Sequence, residues 1–431
     1  MSHRSRQLRV SALARIEGEG ALDVVVADGQ VTEARLRIYE PPRFFEAFLR
    51  GRQYTEATDI TSRICGICPV AYQASAWNAI EDACGVTVPE DIAALRRLLY
   101  CGEWISSHAL HIYLLHAPDF LGYPDVVSMA RDHRSLVERG LRLKKAGNAV
   151  LETVGGRAIH PVNTRVGGFY RAPSPEDLAG LALTLRPALD DALDTVSWVA
   201  GFEFPDTELD CDLLAASAGD RYPIEGGGLV VAASGLQFPP AGFGRHVIEH
   251  QVPHSTALHA TLDGRGYLTG PLARYSTSSA RLSEAARQAA TVAGLGPACR
   301  NPFRSIVVRA VEVVYAITEA LRIIGSYQRP EPSYVDVPPV AGTGHGVSEA
   351  PRGLLYHRYQ TGAEGQIEAA DIVPPTSQNQ AAIEADLRGT VQAHLDLDDA
   401  GLTALCERTI RNYDPCISCS AHFLELRLVR Q

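Results

Sequence analysis

Asp414-Pro415-Cys416-Ile417-Ser418-Cys419-Ser420-Ala421-His422 is the stretch that decides how this chain must fold. It places two cysteines at CxxC spacing, with a histidine three residues further on. A second pair stands far upstream in Arg63-Ile64-Cys65-Gly66-Ile67-Cys68-Pro69. Two such pairs can give four thiolates to one metal centre. Cys68 and Cys416 are 348 positions apart, so the whole fold must bring the pairs together. On spacing alone, four cysteines read as a structural zinc site. Against that, zinc ribbons and fingers close much shorter loops, and His422 adds a fifth ligand that a closed four-cysteine site does not need. Soft thiolates also suit nickel, iron and copper(I).

The bulk properties narrow the field. At 431 residues the chain is long enough for two or three domains or for one large one. Hydrophobic residues make up 46% and mean hydropathy is near zero, which fits a soluble globular protein with a sizeable core. The formal net charge of −10, with no long basic run, argues against a nucleic-acid groove. No run of about 18 apolar residues is present, so no membrane span is expected. The first residues lack the apolar region of a secretory signal. Nine cysteines are too few for a disulfide framework at this length, and the number is odd. Cys84, Cys101, Cys211, Cys299 and Cys406 are expected to be ordinary buried thiols. A reducing, cytoplasmic setting is the simplest reading.

Along the chain, residues 21–27 and 31–39 read as strands joined by a turn at Asp28-Gly29. Alternation in the second strand sets Val31, Glu33 and Arg35 against Thr32, Ala34, Leu36 and Ile38. A helix is expected from Asp91, as N-cap, through the next 26 or so residues, carrying His108, His111 and His116. Further helices are expected at about 127–153, from 175 to about 200, at 301–326 and at 380–396. In the fourth of these, Val307, Val311, Val314, Ile317, Leu321 and Ile324 form one apolar stripe. Residues 205–275, rich in glycine, proline and short β-branched runs, read as an inserted set of strands and loops. The expected architecture is a single domain over 1–431, mainly α: a multi-helix bundle core (61–204 and 276–431), an N-terminal β-hairpin within 1–60, and a small peripheral sheet.

Several separated motifs then resemble, in order, the large catalytic subunit of nickel–iron hydrogenases. They are ARIEGEG (14–20), PPRFFEAF (41–48), RICGICPVAY (63–72), GGRAIHPVN (155–163), YLTGPLARYS (267–276), SEAPRG (348–353), PPT-x-x-N (374–379) and DPCISCSAH (414–422). The EPPRFF and RICGICPVAY forms are most similar to the cytoplasmic, bidirectional branch linked to NAD(P). The resemblance implies that Cys65, Cys68, Cys416 and Cys419 bind nickel. It implies that Cys68 and Cys419 also bridge to an iron carrying CO and cyanide, and that Cys416 is the first proton acceptor. Glu17 matches a proton-relay glutamate, and Arg352 an arginine over the metal pocket. Pro351 and Leu355 line that pocket. Tyr72 stands where other branches often carry histidine. Glu46, the backbone carbonyl of Ile372 and His422 match the ligands of a magnesium ion.

Taken without the resemblance, the same residues read more plainly. Glu17 is then a strand-edge glutamate in a salt bridge, Glu46 a surface glutamate, and Arg352 a surface arginine after a turn. His108 and His111 lie one helical turn apart and read as structural, with a proton path or a network near the metal as the alternative. The implied function is reversible cleavage of H2 to protons and electrons. No cysteines remain grouped for an iron–sulfur cluster, so an iron–sulfur small subunit is implied, with flavin/NAD(P) diaphorase subunits beyond it. A maturation chaperone and an endopeptidase cutting after His422 are further implied partners. The rival readings are a hydrogen-sensing regulatory homologue and a structural zinc protein. The quinone-site subunit of respiratory complex I shares the ancestry but lacks the cysteine quartet.

Overall fold

Long helices form where apolar residues recur at three- and four-residue steps, and their buried stripes pack together to make the core. The computed structural model describes residues 5–40 and 44–421. Helix Ser305–Gly325 buries Val307, Val311, Val314 and Ile317 against Glu90–Leu110 and Pro175–Ala200. Helix Arg134–Gly155 packs on the latter two. The chain is mainly α, with small separate sheets around this bundle.

Local chemistry sets the helix ends, in places differently from expectation. Ser174 and Asp177 form a reciprocal capping box, which starts the helix at Pro175 as expected. The helix expected to be capped by Asp91 starts at Glu90, with Pro89 as N-cap and no side-chain cap. Asp91 sits in the first turn, where Glu90 and Asp91 complement the helix dipole. The segment expected as one helix at 127–153 is two, Val126–Asp132 and Arg134–Gly155, broken at His133. At the C-terminal side, the expected 380–396 helix runs Pro375–Ala393, and a further helix, Asp399–Arg411, follows it.

The Asp28-Gly29 turn is where it was expected, with both residues at positive φ, between strands Gly20–Ala27 and Gln30–Ile38. An unforeseen third strand, Ser5–Val10, pairs antiparallel with the first of these. The simple alternation fails at one point. The register shifts at Val25/Val26 and leaves Thr32 without a partner, so Val31 is buried on the same side as Ala34, Leu36 and Ile38. A bulge changes the parity of every residue beyond it.

Within 205–275, strands Asp212–Ser217, Leu229–Ala232, Gln237–Phe238 and Tyr267–Thr269 form one mixed sheet. Strands Val247–His250 and His259–Leu262 form a separate hairpin. Downstream, Gly342–Ala350, Gly353–Thr361 and Ile367–Val373 make a three-stranded antiparallel meander. Its first strand lies along helix Pro69–Cys84. The backbones touch: a Cβ on Gly344 would lie 1.9 Å from the Ala79 carbonyl oxygen, and one on Gly346 2.4 Å from that of Ser75. Only glycine lets a strand approach a helix so closely, and overpacking here has no flexible side chain to absorb it. Gly346→Ala is therefore expected to destabilise the chain by about 3 kcal/mol, read as a lowered denaturation midpoint at unchanged m-value; an unaltered midpoint would contradict this packing.

Candidate metal centre

The first cysteine pair sits where one helix ends and the next begins. Cys68 is the N-cap of Pro69–Cys84, with Pro69 pre-set for the first turn. The Ile67 and Cys68 backbone N–H groups point at Cys65 Sγ, at 3.3 and 3.1 Å. The next two amides, of Val70 and Ala71, donate to the Glu103 carboxylate at 2.6 and 3.1 Å. Glu103 is buried, and it satisfies helix-start donors that have no partner within the helix.

The second pair follows helix Asp399–Arg411. The π-helical turn His111–His116 anchors the loop between them: His111 Nε2 lies 2.8 Å from the Arg411 carbonyl and His116 Nε2 3.0 Å from Asn412 Oδ1. Ser305 Oγ donates to the Asn412 carbonyl at 2.7 Å. Asp414 then takes φ 51°, a left-handed conformation that Asp tolerates better than most residues. Cys416 N–H donates to Thr376 Oγ1 at 3.0 Å.

The four sulfurs meet. Cys65–Cys68 and Cys416–Cys419 are 2.8 and 2.7 Å apart; across the pairs, Cys65–Cys416 is 3.5 Å and Cys68–Cys419 3.9 Å. All four residues are buried. Burial raises a thiol's pKa, and Cys68, Cys416 and Cys419 lie well above the usual thiol value. Cys65 goes the other way despite its burial, because the neighbouring thiols donate to it and Arg352 supplies positive charge. The protein thus favours one thiolate here, and four need a cation among them. A soft metal fits this donor set, with every sulfur within 4.8 Å of the others.

Glu17 is brought to the same place. Its Oε2 is 3.2 Å from Cys416 Sγ and accepts the Ser418 N–H at 3.0 Å. Its carbonyl accepts the Ile417 N–H at 2.9 Å, and Glu17 and Cys416 form an isolated parallel bridge. No salt bridge to Glu17 is seen among the described residues, contrary to the plainer expectation. Two residues earlier Arg15 is left-handed, at φ 58°. Its guanidinium pairs with Asp119, which also takes both Nε and Nη2 of Arg411, at 2.7 and 2.8 Å.

Arg352 is not at the surface. It occupies the two-residue turn Pro351-Arg352 between paired Ala350 and Gly353, and only 1% of it is exposed. Its Nε donates to the Asp414 carbonyl at 2.9 Å and its Nη2 to Asp414 Oδ1 at 3.2 Å, while Nη1 is buried without a hydrogen-bond partner among the described residues. Arg309 and Arg274 hold the Pro351 carbonyl at 3.2 and 3.1 Å. Leu355 is buried, its carbonyl 3.2 Å from Ser75 Oγ. Tyr72 is buried, its hydroxyl has no hydrogen-bond partner among the described residues, and its ring is 5.8 Å from that of His357. Glu46 Oε1 accepts the Ile372 N–H at 2.7 Å. Both line a cavity of about 20 Å³ together with Phe45, Ile64, Ser418, Cys419 and Ala421. His422, the third expected ligand there, lies outside the described residues, as do Pro41, Pro42 and Arg43 of the PPRFFEAF motif.

His108 and His111 do not act as a pair. His108 Nε2 bonds Glu312 at 2.9 Å, whereas His111 serves the C-terminal loop. Glu103, Asp119, Arg309 and Asp414 were not singled out from the sequence. Asp414 could have been, since it stands two residues before a metal-type cysteine. The others are single charges inside helices, which carry no local signal.

Comparison with known proteins agrees with this geometry. The family model described as nickel-dependent hydrogenase matches residues 43–172 and 298–422. Sulfhydrogenase 1 subunit alpha of Pyrococcus furiosus is 34% identical over 423 residues, covering 97% of this chain and 98% of the relative. The NAD-reducing hydrogenase HoxS subunit beta of Cupriavidus necator is 26% identical, covering 97% and 95%. Among solved structures, an NAD+-reducing [NiFe]-hydrogenase in the H2-reduced state superposes with TM-score 0.83 at 27% identity, over 97% of this chain and 99% of that one.

Two outcomes follow for the residues that hold the site in shape. Glu103→Ala leaves two buried amides unpaired and is expected to cost about 2 kcal/mol in unfolding by denaturant. Burial would raise the Asp119 carboxyl, but Arg411 and then Arg15 hold it below its ordinary 3.8. A depressed carboxylate stabilises above that ordinary value and loses its contribution as pH falls through the lower, folded one. The stability gap between wild type and Asp119→Asn should therefore be widest near neutrality and shrink as pH drops below about 4, measured by unfolding at a series of pH values; a gap independent of pH would count against the assigned charge cluster.

Proposed function

The chain belongs to the nickel-dependent hydrogenase family and is a nickel–iron hydrogenase enzyme, and from that premise we propose how its own residues serve the reversible oxidation of H2. Cys65, Cys68, Cys416 and Cys419 would hold nickel, and Cys68 and Cys419 would share an iron bearing CO and cyanide. The bimetallic group, when bound, supplies heterolytic cleavage of H2. The protein's part is to receive and move the proton. Cys416 Sγ takes it, and Glu17 Oε2, 3.2 Å away, is the next carrier. That contact is the observation that carries the reading. A carboxylate held this close by a backbone N–H needs no rearrangement to accept a proton. Arg352 keeps positive charge beside the sulfurs, and Pro351 and Leu355 would line the pocket around the iron. Glu46, Ile372 and His422 would hold magnesium, whose preference for oxygen ligands and retained waters suits a small cavity beside a carboxylate.

Electrons need a partner. Among the described residues, Cys84, Cys101, Cys211, Cys299 and Cys406 join no group of three or more metal-type side chains. An iron–sulfur small subunit would therefore receive the electrons, and diaphorase subunits would pass them to NAD(P)+. The NAD+-reducing hydrogenase among the similar structures supports that order. A chaperone and a C-terminal endopeptidase would complete maturation. The cytoplasm remains the proposed setting, supported by nine free thiols; no helix among the described residues is long and apolar enough to cross a membrane.

Metal analysis with infrared spectroscopy tests the centre. Nickel and iron in equal amounts in this chain separated from its iron–sulfur partner, with CO and cyanide bands, are expected; zinc without nickel, and no such bands, would overturn it. Glu17→Gln tests the proton path: it is expected to keep its nickel and lose roughly 10²-fold or more in H2 oxidation and in H/D exchange. Full activity in that variant would remove Glu17 from the path.

A further inference from the structure

A second cluster of metal-type ligands lies outside the cysteine centre, on the hairpin Val247–His250/His259–Leu262. His254, in its loop, and His259, on its returning strand, converge with Glu384 of helix Pro375–Ala393, their ligand atoms all within 4.8 Å of one another. His254 Nε2 is 2.8 Å from Glu384 Oε1, and His259 Nε2 is 4.0 Å from the same oxygen. Ligand atoms around a tetrahedral zinc ion are about 3.3 Å apart, given metal–ligand distances of about 2.0–2.1 Å. The two observed spacings bracket that value.

A second observation points to a ligand. The His259 side chain is only 6% exposed, yet its Nε2 is buried with no hydrogen-bond partner among the described residues. A buried imidazole nitrogen left without a partner carries a cost that a bound cation would remove. His250 sits directly across the strand pair from His259, with ring centroids 5.9 Å apart.

We propose that His254, His259 and Glu384 form a binding site for a zinc-like divalent cation, with water or His250 completing its coordination. Two imidazoles and one carboxylate are a donor set that zinc favours over magnesium or calcium. Taking the metal requires His254 to carry its proton on Nδ1 and to turn Nε2 from hydrogen-bond partner to ligand. The site's position gives the ion a structural task. Glu384 Oε1 also accepts the Leu36 N–H of the N-terminal sheet at 2.9 Å. The hairpin loop bonds that sheet again through Thr256 N–H to the Ile38 carbonyl at 2.7 Å, and Ala257 bridges Ala421 beside the cysteine centre. The cation fastens loop, sheet and helix together next to the segment that carries Cys416 and Cys419.

The cysteines also take soft divalent metals, so the test must separate the two sites. The native assembly is stripped with a chelator, incubated with zinc and desalted, for wild type, His259→Gln and Glu384→Gln, all with the cysteines intact. Wild type is expected to retain one zinc per chain that both variants lose, with uptake weakened about tenfold or more. Zinc-edge X-ray absorption on the wild type is expected to show nitrogen and oxygen neighbours with an imidazole signature and no sulfur. Equal zinc in all three proteins, zinc bound only through sulfur, or no zinc retained by wild type would each overturn the proposal. The absorption spectrum needs no variant, so misfolding of either substitution leaves the test intact.

Discussion

Four thiols buried within a few ångströms of one another are the constraint on which the rest of this structure depends. Their protons cannot all leave without a counter-charge, and Cys65 is the one thiol whose surroundings favour ionisation. The fold must therefore deliver two pairs of cysteines, a cationic guanidinium and the Glu17 carboxylate to one point. Chain length is not the obstacle. The entropy of closing a loop grows only logarithmically, by about 0.6 kcal/mol per doubling. What separates this centre from a zinc ribbon is the span of chain it draws together, since Cys68 and Cys416 stand 348 positions apart.

Backbone geometry sets the close approach at the centre. Arg15 and Asp414 are both left-handed, and each stands two residues before a partner in the Glu17–Cys416 bridge. Such a conformation costs about 1–2 kcal/mol for a residue like Arg15 and less for Asp414. Both are held by ion clusters: Arg15 by Asp119 and through it Arg411, Asp414 by Arg352 and, at 3.6 Å, Arg309. These two turns set the Glu17 carboxylate and the Cys416 sulfur facing each other at 3.2 Å.

Much of this was legible in the sequence, and the failures have physical causes. The helical core followed from periodicity because burial of one stripe leaves a regular imprint, as in 305–325. The convergence of the four cysteines was legible from their spacing, and the placing of Glu17 and Arg352 beside them from motif resemblance. The meander at 342–373 escaped because its first strand is glycine-rich and lies on a helix backbone, so it lacks the β-branched alternation of an ordinary strand. Helix Asp399–Arg411 hid behind the cysteine motif that follows it. Glu103 could not be identified as a cap, because it acts across space on the first amides of another helix. Arg352 read by itself as a surface residue, since nothing local says that a two-residue turn is buried.

That buried turn explains why the core carries so many charges. Arg274 bridges Glu312 and Glu349 and also holds the Ala350 carbonyl, at 2.8 to 3.0 Å throughout. Glu312 is held far below the usual carboxylate range by Arg274 and His108 in spite of its burial, whereas burial pushes Glu349 up to about 7. For stability alone such a network is a poor choice, because well-packed apolar residues of similar volume commonly do as well or better. Its effect here is positional. A two-residue turn inside a core has carbonyls that water cannot reach, and each must find a donor. Arg274 and Arg309 both donate to the Pro351 carbonyl, and Arg274 also to that of Ala350, while their own charges are answered by Glu312, Glu349 and Asp414. Removing any one member leaves a buried charge or carbonyl unmatched and frees the turn to move. The arginine that overlooks the sulfurs is therefore fixed by the desolvation cost of its neighbours, transmitted through the backbone of Pro351.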